Sequence, residues 1–370
     1  MGSNSKHIVI DARIRRSSTG RYVDRLLEHL QTIDSPHRFT VLVQPDDPWR
    51  ARAANFEVQS SPYPQFSFNP LNDFKFAYQL RSLQPDLVHF TMTQQPLTYR
   101  GRTVTTTHDL TMLRFIRAGK TAAPVFWLKK FGYRLMFYVA HQKSARIIVP
   151  TKFVGHDLAK LYPFTKKQIS VTYEASEPPI NQPAEPLDGV KKPFIMHVGS
   201  PFPHKNLQHL IKAFELLLKR KPGLTLVLAG KKEFYFEELQ EWAQQRSAYP
   251  SIRFTGFIDD NELKWLYENA EAYVLPSLSE GFGLPGLEAM SHGCAVVSSD
   301  ATCLPEVYGD AAHYFDPYNL QQTAAAIEDV LDSPKLRAML RTEGYKQLQK
   351  YSWQTMAEQT HDVYNRALRA

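Results

Sequence analysis

The sequence predicts an α/β protein of two doubly wound, Rossmann-like domains, and three observations carry that expectation. Short apolar strands alternate with helix-period stretches along most of the 370 residues, the pattern of parallel βαβ units. Five prolines fall between residues 175 and 193, a density that neither a helix nor a central strand tolerates. The charge balance reverses at the same place. Residues 1–176 carry 25 Lys and Arg against 12 Asp and Glu, whereas 177–370 carry 19 against 25. A chain of this length also exceeds what one core usually serves.

In the first half, "HIVIDA" (7–12) reads as a strand, and "GRYVDRLLEHLQ" (20–31) places apolar residues at 22, 23, 26, 27 and 30, a helix period. "FTVLV" (39–43), "LVHF" (87–90), "TVTTTH" (103–108), "ARIIVP" (145–150) and "ISVTY" (169–173) read as buried strands. The proline-rich run follows, and then the pattern restarts. "FIMHVG" (194–199), "LTLVLAG" (224–230), "IRFTG" (252–256), "AYVLPS" (272–277) and "AVVSS" (295–299) are strands. Helices are expected over 206–220, 233–247, 284–293, 319–332, 334–350 and 352–368, and Asp259 and Glu262 have the spacing of a capping box. The domains therefore read as 1–176 and 193–352, joined by a linker at 177–192. A last helix at 353–370 is expected to pack back toward the first domain.

Hydrophobic content of 43% fits a folded, soluble chain, and no apolar run approaches the ~20 residues of a membrane span. Two cysteines, Cys294 and Cys303, are too few for a disulfide framework or a zinc site, so a reducing cytoplasm is the expected home. Residues 110–156 hold nine basic residues and no acidic one, interleaved with Phe126, Trp127, Phe131 and Tyr138. Arg114, Lys120, Trp127, Lys129, Lys130 and Arg134 are the candidate contacts to an anionic membrane surface or an acceptor.

The chemistry concentrates in "SEGFGLPGLEAM" (279–290). Ligands of open parallel sheets bind beyond the carboxyl ends of the strands, where this turn lies. Gly281 and Gly283 allow close backbone approach, and Pro285 suits a first helical turn. The N–H groups of Phe282, Gly283 and Leu284 at a helix start would suit a phosphate. Glu280 and Glu288 would then accept hydrogen bonds from sugar or ribose hydroxyls. Spacing alone leaves both an anion cradle and an ordinary packing joint open.

The whole segment 194–353 resembles the family-4 glycosyltransferases, whose mark is two glutamates separated by seven residues, here Glu280-GFGLPGL-Glu288. The likeness continues in "EAMSHGCAVVSSDATCLPEVYGDAAHYFDP" (288–317), in "VGSPFPHKNL" (198–207), and in "GRYVDRLLEHL" and "TTTHDLTMLRF" of the first half. The resemblance implies two facing Rossmann domains with a cleft between them (the GT-B fold) and transfer of a hexose with retention at the anomeric carbon. By carry-over, Glu288 binds the donor ribose. Glu280, with Gly281 and the N–H groups of Phe282 to Leu284, holds the hexose and phosphate. Lys205 neutralises the diphosphate, His108 faces the sugar with Asp109 orienting it, and the backbone at Phe257 and Ile258 meets the base. Gly20 belongs to the glycine loop. Ser200 and His204 occupy places where the family often has a basic residue, which shifts phosphate neutralisation toward Lys205 and toward Arg13, Arg15, Arg16 or Arg21.

No D-x-D is present, so no metal and no cofactor is expected. GDP-mannose is the first donor expected and a UDP-hexose the second. The acceptor is expected to be a glycan, with a polyprenyl-linked one favoured, in cell-surface polysaccharide synthesis on the inner face of the plasma membrane. A nucleotide-sugar epimerase of the same fold and a nucleic-acid-binding protein are the competing readings. The second lacks any reading motif. A dehydrogenase is disfavoured because no G-x-G-x-x-G follows a strand.

Overall fold

The computed structural model describes residues 5–17, 19–65, 69–115 and 123–369. The chain divides into two compact units, Met1–Glu174 with Ser352–Ala370, and Ala175–Tyr351. Each is built on an all-parallel sheet, as the alternation of strands and helices requires.

The first unit has seven strands: β1 (His7–Asp11), β2 (Arg38–Val43), β3 (Phe56–Ser60), β4 (Leu87–Phe90), β5 (Thr103–Thr106), β6 (Ser144–Val149) and β7 (Ile169–Val171), in the order β3-β2-β1-β4-β5-β6-β7. Helices α1 (Gly20–Leu30), α2 (Pro70–Ser82), α3 (Thr111–Arg114), α4 (Ala123–Lys143) and α5 (Lys152–Leu161) alternate with them. The periodic residues of α1, namely Tyr22, Val23, Leu26, Leu27 and Leu30, are its buried face. β3 adds to the expected strands. It lies on the sheet edge with only Phe56 buried, so its sequence "FEVQS" carries too short an apolar signal to stand out.

Register places two helices on one side of this sheet. Phe90 pairs with Thr105, and Thr105 with Ile147, so these residues share a face. Phe76, Ala77 and Leu80 of α2 pack with Val88 and Phe90, while Phe137 of α4 packs with Ile147 and Val149. Alternation sends His89 to the opposite face. There its Nδ1 meets the Tyr364 hydroxyl at 2.6 Å, on the C-terminal helix that packs along α1.

The second unit begins with the proline-rich stretch, which runs from 175 to 193 without helix or strand. Its strands are β8 (Phe194–Val198), β9 (Thr225–Ala229), β10 (Ile252–Gly256), β11 (Ala272–Leu275), β12 (Val296–Ser299) and β13 (Ala312–Phe315), in the order β10-β9-β8-β11-β12-β13. The helices are α6 (Leu207–Leu218), α7 (Phe234–Gln244), α8 (Asp260–Asn269), α9 (Leu284–Ser291), α10 (Leu304–Tyr308), α11 (Leu320–Asp332) and α12 (Pro334–Leu348), and α13 (Trp353–Arg369) returns the chain to the first unit. Ile195, Leu226, Val274 and Val297 from the central strands bury against Leu210, Ile211 and Phe214 of α6 and Ile327 of α11. The Asp259–Glu262 capping box forms as the spacing predicts. Strand order reverses between β8 and β11, which is where such sheets open a binding crevice.

Candidate active site

β8 and β11 are paired neighbours, so the loops that leave their carboxyl ends, 199–206 and 276–283, run side by side. The Leu278 amide donates to the His204 carbonyl at 2.7 Å and stitches the loops together. This brings Lys205 to Glu280. The Lys205 Nζ donates to Glu280 Oε1 at 2.7 Å, and the Ser277 hydroxyl donates to the same oxygen at 2.6 Å. The side chains are 16% and 11% exposed. Burial alone would raise the Glu280 pKa, but the Lys205 cation and the Ser277 hydroxyl outweigh it and hold the carboxyl below its usual range. The Glu280 amide donates to the Thr302 hydroxyl at 3.1 Å, which anchors the turn to the segment after β12.

His197 lies under this pair on β8. Its Nδ1 bonds the Val274 carbonyl at 2.9 Å, and burial, reinforced by Lys205, lowers its pKa to about 4. The ring is therefore a neutral floor with its N–H turned into the sheet.

The glycines have separate jobs. Gly283, with φ of +92°, caps α9 in the left-handed region, and its carbonyl accepts a hydrogen bond from the Tyr308 hydroxyl at 2.5 Å. A Cβ there would stand 2.5 Å from that oxygen. Pro285 occupies the first turn of α9. Phe282 is buried, edge-on to Tyr351, so its ring packs inside the second unit. Glu288 is half-buried on the second turn of α9. Ser200 accepts the Phe202 amide through its carbonyl, and the His204 ring stacks on Phe202.

Beyond the carboxyl ends of β9 and β10, a cavity of about 390 Å³ is lined by Lys231, Lys232, Thr255 and Phe257. The Phe257 ring is 75% exposed, and Ile258 follows it half-buried. The expected base-contacting backbone thus borders a cavity with two lysines and an aromatic face, and the lysines carried no motif that pointed to them.

In the first unit, His108 follows the carboxyl end of β5. Its Nε2 meets the Thr91 carbonyl at 2.9 Å and its Nδ1 the Glu174 carboxylate at 3.4 Å. Tyr22 of α1 packs edge-on against the ring. The expectation that Asp109 orients this histidine is corrected. The Asp109 carboxylate accepts the Thr111 amide at 2.7 Å and starts α3, and the ring is held by Thr91 and Glu174. An aspartate two residues before a helix captures the free helical N–H more readily than its neighbour's ring. Arg13 and Arg15 are corrected too. Arg13 forks onto buried Asp11 and stacks on Phe76, and Arg15 pairs with Asp24 and Asp47, so neither is available to a phosphate. Arg16 is exposed. Gly20 is a packing glycine, because a Cβ would sit 1.6 Å from the Arg15 carbonyl oxygen.

The basic aromatic window falls mainly on α4. Trp127, Leu128 and Phe131 are 61%, 71% and 66% exposed, among exposed Lys129 and Arg134, and Lys130 lies over the Trp127 ring at 5.0 Å. Arg114 is instead paired with Asp157 of α5 at 2.5 Å, and Lys120 lies outside the described residues. Among the described residues no helix is long and apolar enough to cross a membrane, and no three His, Cys, Asp or Glu side chains converge as metal ligands would.

Four partners of the candidate residues were not anticipated: Ser277, Thr302 and Tyr308 in the second unit, and Glu174 in the first. Ser277 shares the turn with Glu280, so a close reading of the spacing offered a signal. The other three are brought to their partners only by folding within each unit.

Known proteins match both halves of the chain. Residues 19–175 match the model of "Glycosyltransferase Family 4", and residues 181–347 that of "Glycosyl transferases group 1". The chain is 30% identical over 275 residues to O-antigen chain mannosyltransferase B of Escherichia coli, covering 71% of this chain and 70% of that protein. It is 34% identical over 182 residues to the serotype-specific mannosyltransferase WbdA of Escherichia coli, covering 48% of this chain but only 22% of that much longer one. Anabaena HepE, solved in complex with UDP and glucose, superposes with a TM-score of 0.72 over 97% of this chain and 99% of its own, at 18% identity. Two Rossmann-like units, a glutamate pair flanking a glycine-capped helix start, and family matches along both halves lead to one conclusion: the chain belongs to the family-4 glycosyltransferases and has their GT-B fold.

Proposed function

We propose that the protein is a retaining hexosyltransferase that moves a hexose from a nucleotide-sugar to a glycan or polyprenyl-linked glycan, with GDP-mannose the first donor and a UDP-hexose the second. The observation that carries this reading is the Lys205–Glu280 pair beside the N-terminus of α9, at the β8/β11 reversal. Lys205 and the N–H groups of Phe282 to Leu284 would stabilise the charge that develops on the departing diphosphate, which is where such groups act most strongly. Glu280 and Glu288 would accept hydrogen bonds from sugar and ribose hydroxyls, and His108 would contribute from the first unit. The bond from the anomeric carbon to the diphosphate breaks, one to the acceptor oxygen forms on the same face, and the acceptor proton passes to the leaving phosphate. No metal is assigned to these steps. Mannose is favoured by the mannosyltransferase relatives, and a uridine donor by the HepE complex.

Thermal shift against a panel of nucleotide-sugars tests the donor, because a bound ligand stabilises the folded chain by mass action. GDP-mannose is expected to give the largest rise. Glu288→Ala is expected to weaken donor binding about tenfold, the value of one charged hydrogen bond. Equal affinity in this variant, or no response to any nucleotide-sugar, would remove the site assignment. Analysis of the product's anomeric configuration by NMR tests retention, and a donor returned as its epimer would establish the competing epimerase.

The same reading places the protein peripherally on an anionic membrane. α2 exposes Leu71, Phe74 and Tyr78 at helical spacing on the same sheet face from which α4 exposes Trp127, Leu128 and Phe131. Aromatic residues among lysines and arginines suit the lipid headgroup region. Replacing Lys129 and Lys130 with glutamate is expected to abolish sedimentation with phosphatidylglycerol vesicles while leaving the melting temperature unchanged. Absence of vesicle binding by the native chain would reject this placement.

A further inference from the structure

His108 stands between two partners that can only accept a hydrogen bond, the Thr91 carbonyl at 2.9 Å from Nε2 and the Glu174 carboxylate at 3.4 Å from Nδ1. A neutral imidazole has one N–H and one lone pair. If Nε2–H binds the carbonyl, the Nδ1 lone pair faces the carboxylate, acceptor against acceptor. The contacts are both satisfied when the ring carries two protons. Glu174 is 5% exposed and His108 half-buried, so solvent does little to relieve a mismatch there.

The other groups around the ring point the same way. Tyr22 from α1 lies edge-on at 4.8 Å between ring centroids, and its hydroxyl is occupied by Thr106 at 3.0 Å. Burial raises the Tyr22 pKa far enough to keep the phenol neutral. His89 from β4 is lowered to about 3 by burial and by the charge of His108, so it too is neutral. Asp109, next in the chain, adds a second negative charge. Burial of His108 by itself would depress its pKa. The Glu174 hydrogen bond and charge, the Thr91 carbonyl and Asp109 outweigh that cost, and the net shift is upward.

We infer that Glu174 is a positioning residue that holds His108 as a fixed, doubly donating imidazolium, so that His108 contributes charge and orientation to the reaction and does not act as a base. This rests on the proposed role of His108 in sugar transfer. Glu174 ends the N-terminal segment of the first unit, just past β7, and no motif of the sequence marks it. Because the folded pKa of His108 is raised, the pair's contribution to stability is complete below the ordinary histidine range. It is lost as pH rises through the raised value.

The test is Glu174→Gln, which keeps the size of the side chain but can donate to Nδ1 and so accommodates a neutral ring. The His108 ring nitrogens are followed by NMR in the full-length protein labelled with ¹⁵N-histidine, with His108→Gln assigning the signals. The expected result is a fall in the His108 pKa of about one to three units in Glu174→Gln, the usual effect of an opposite charge at this range. The alkaline limb of kcat/KM for transfer should move down with it, and Glu174→Asp should restore part of both. An unchanged ring pKa in Glu174→Gln overturns the inference. A lowered ring pKa with an unmoved activity profile supports the charge pair and overturns the assignment of His108 to the reaction.

Discussion

Lys205→Ala is expected to lower kcat/KM for transfer by roughly 10²–10³, the cost of removing one preorganised group that stabilises developing negative charge. The same change leaves Glu280 largely buried without its cation. Breaking such a pair should cost on the order of 3 kcal/mol, the low end of the range for buried pairs because both side chains keep some exposure. The pH dependence distinguishes this cause from simple misfolding. In the native protein the Glu280 pKa is depressed, so its stabilisation is intact above the ordinary carboxylate range and is lost as pH falls below it. In Lys205→Ala burial dominates and the pKa rises, so the folded state prefers the protonated acid. The deficit in stability should therefore be largest near neutral pH and shrink on acidification. Chemical denaturation at pH 7.5 and pH 5, beside transfer kinetics, checks both parts. Kinetics near the native value, or stability curves parallel to it, would dissolve the proposed site.

Gly283→Ala is expected to be nearly as damaging for a different reason. A φ of +92° strains any residue with a Cβ, at about 1–2 kcal/mol. The added carbon would also meet the Tyr308 hydroxyl at 2.5 Å and Leu304 at 2.7 Å, both in a packed interior. Either the loop or α10 must shift, which moves the first turn of α9. A displacement of about 1 Å at a preorganised site costs on the order of 100-fold in rate. The melting temperature should fall by several degrees at the few degrees per kcal/mol typical of such domains. Tyr308→Phe in the Gly283→Ala background removes the nearest oxygen and should recover part of the stability. A double variant no better than Gly283→Ala would place the damage in the backbone alone.

Much of the architecture is legible in periodicity, because each strand buried on both faces is a short apolar run and each helix a stripe. The helix expected over 334–350 spans 334–348, and the strand expected over 252–256 spans those residues. The strands missed are edge strands, and the helices α2, α4, α5 and α10 were not picked out either. β3 and β13 each have a neighbour on one side only, so "FEVQS" and "AHYF" need little apolar sequence to be held. In the site, Glu280, Glu288, Gly283 and Pro285 were readable because one turn and one helix start contain them all. Lys205 came from the family resemblance. Asp109 was misassigned because adjacency to His108 suggested a partnership that a local helix start claims instead.

By itself the sequence determined the two doubly wound units, the break at the proline-rich stretch, and the glycine turn at a helix start, since these depend on residue type and near spacing. Tertiary structure alone decided which charges answer one another. Lys205 meets Glu280 because β8 and β11 are paired across the strand reversal, 75 residues apart in the chain. Glu174 meets His108 because β5 and β7 flank β6 in one sheet. Arg13 and Arg15, which looked available, are neutralised by Asp11, Asp24 and Asp47. Buried charge must find its partner wherever the fold brings one within hydrogen-bond range, and that distance is set by sheet order and register.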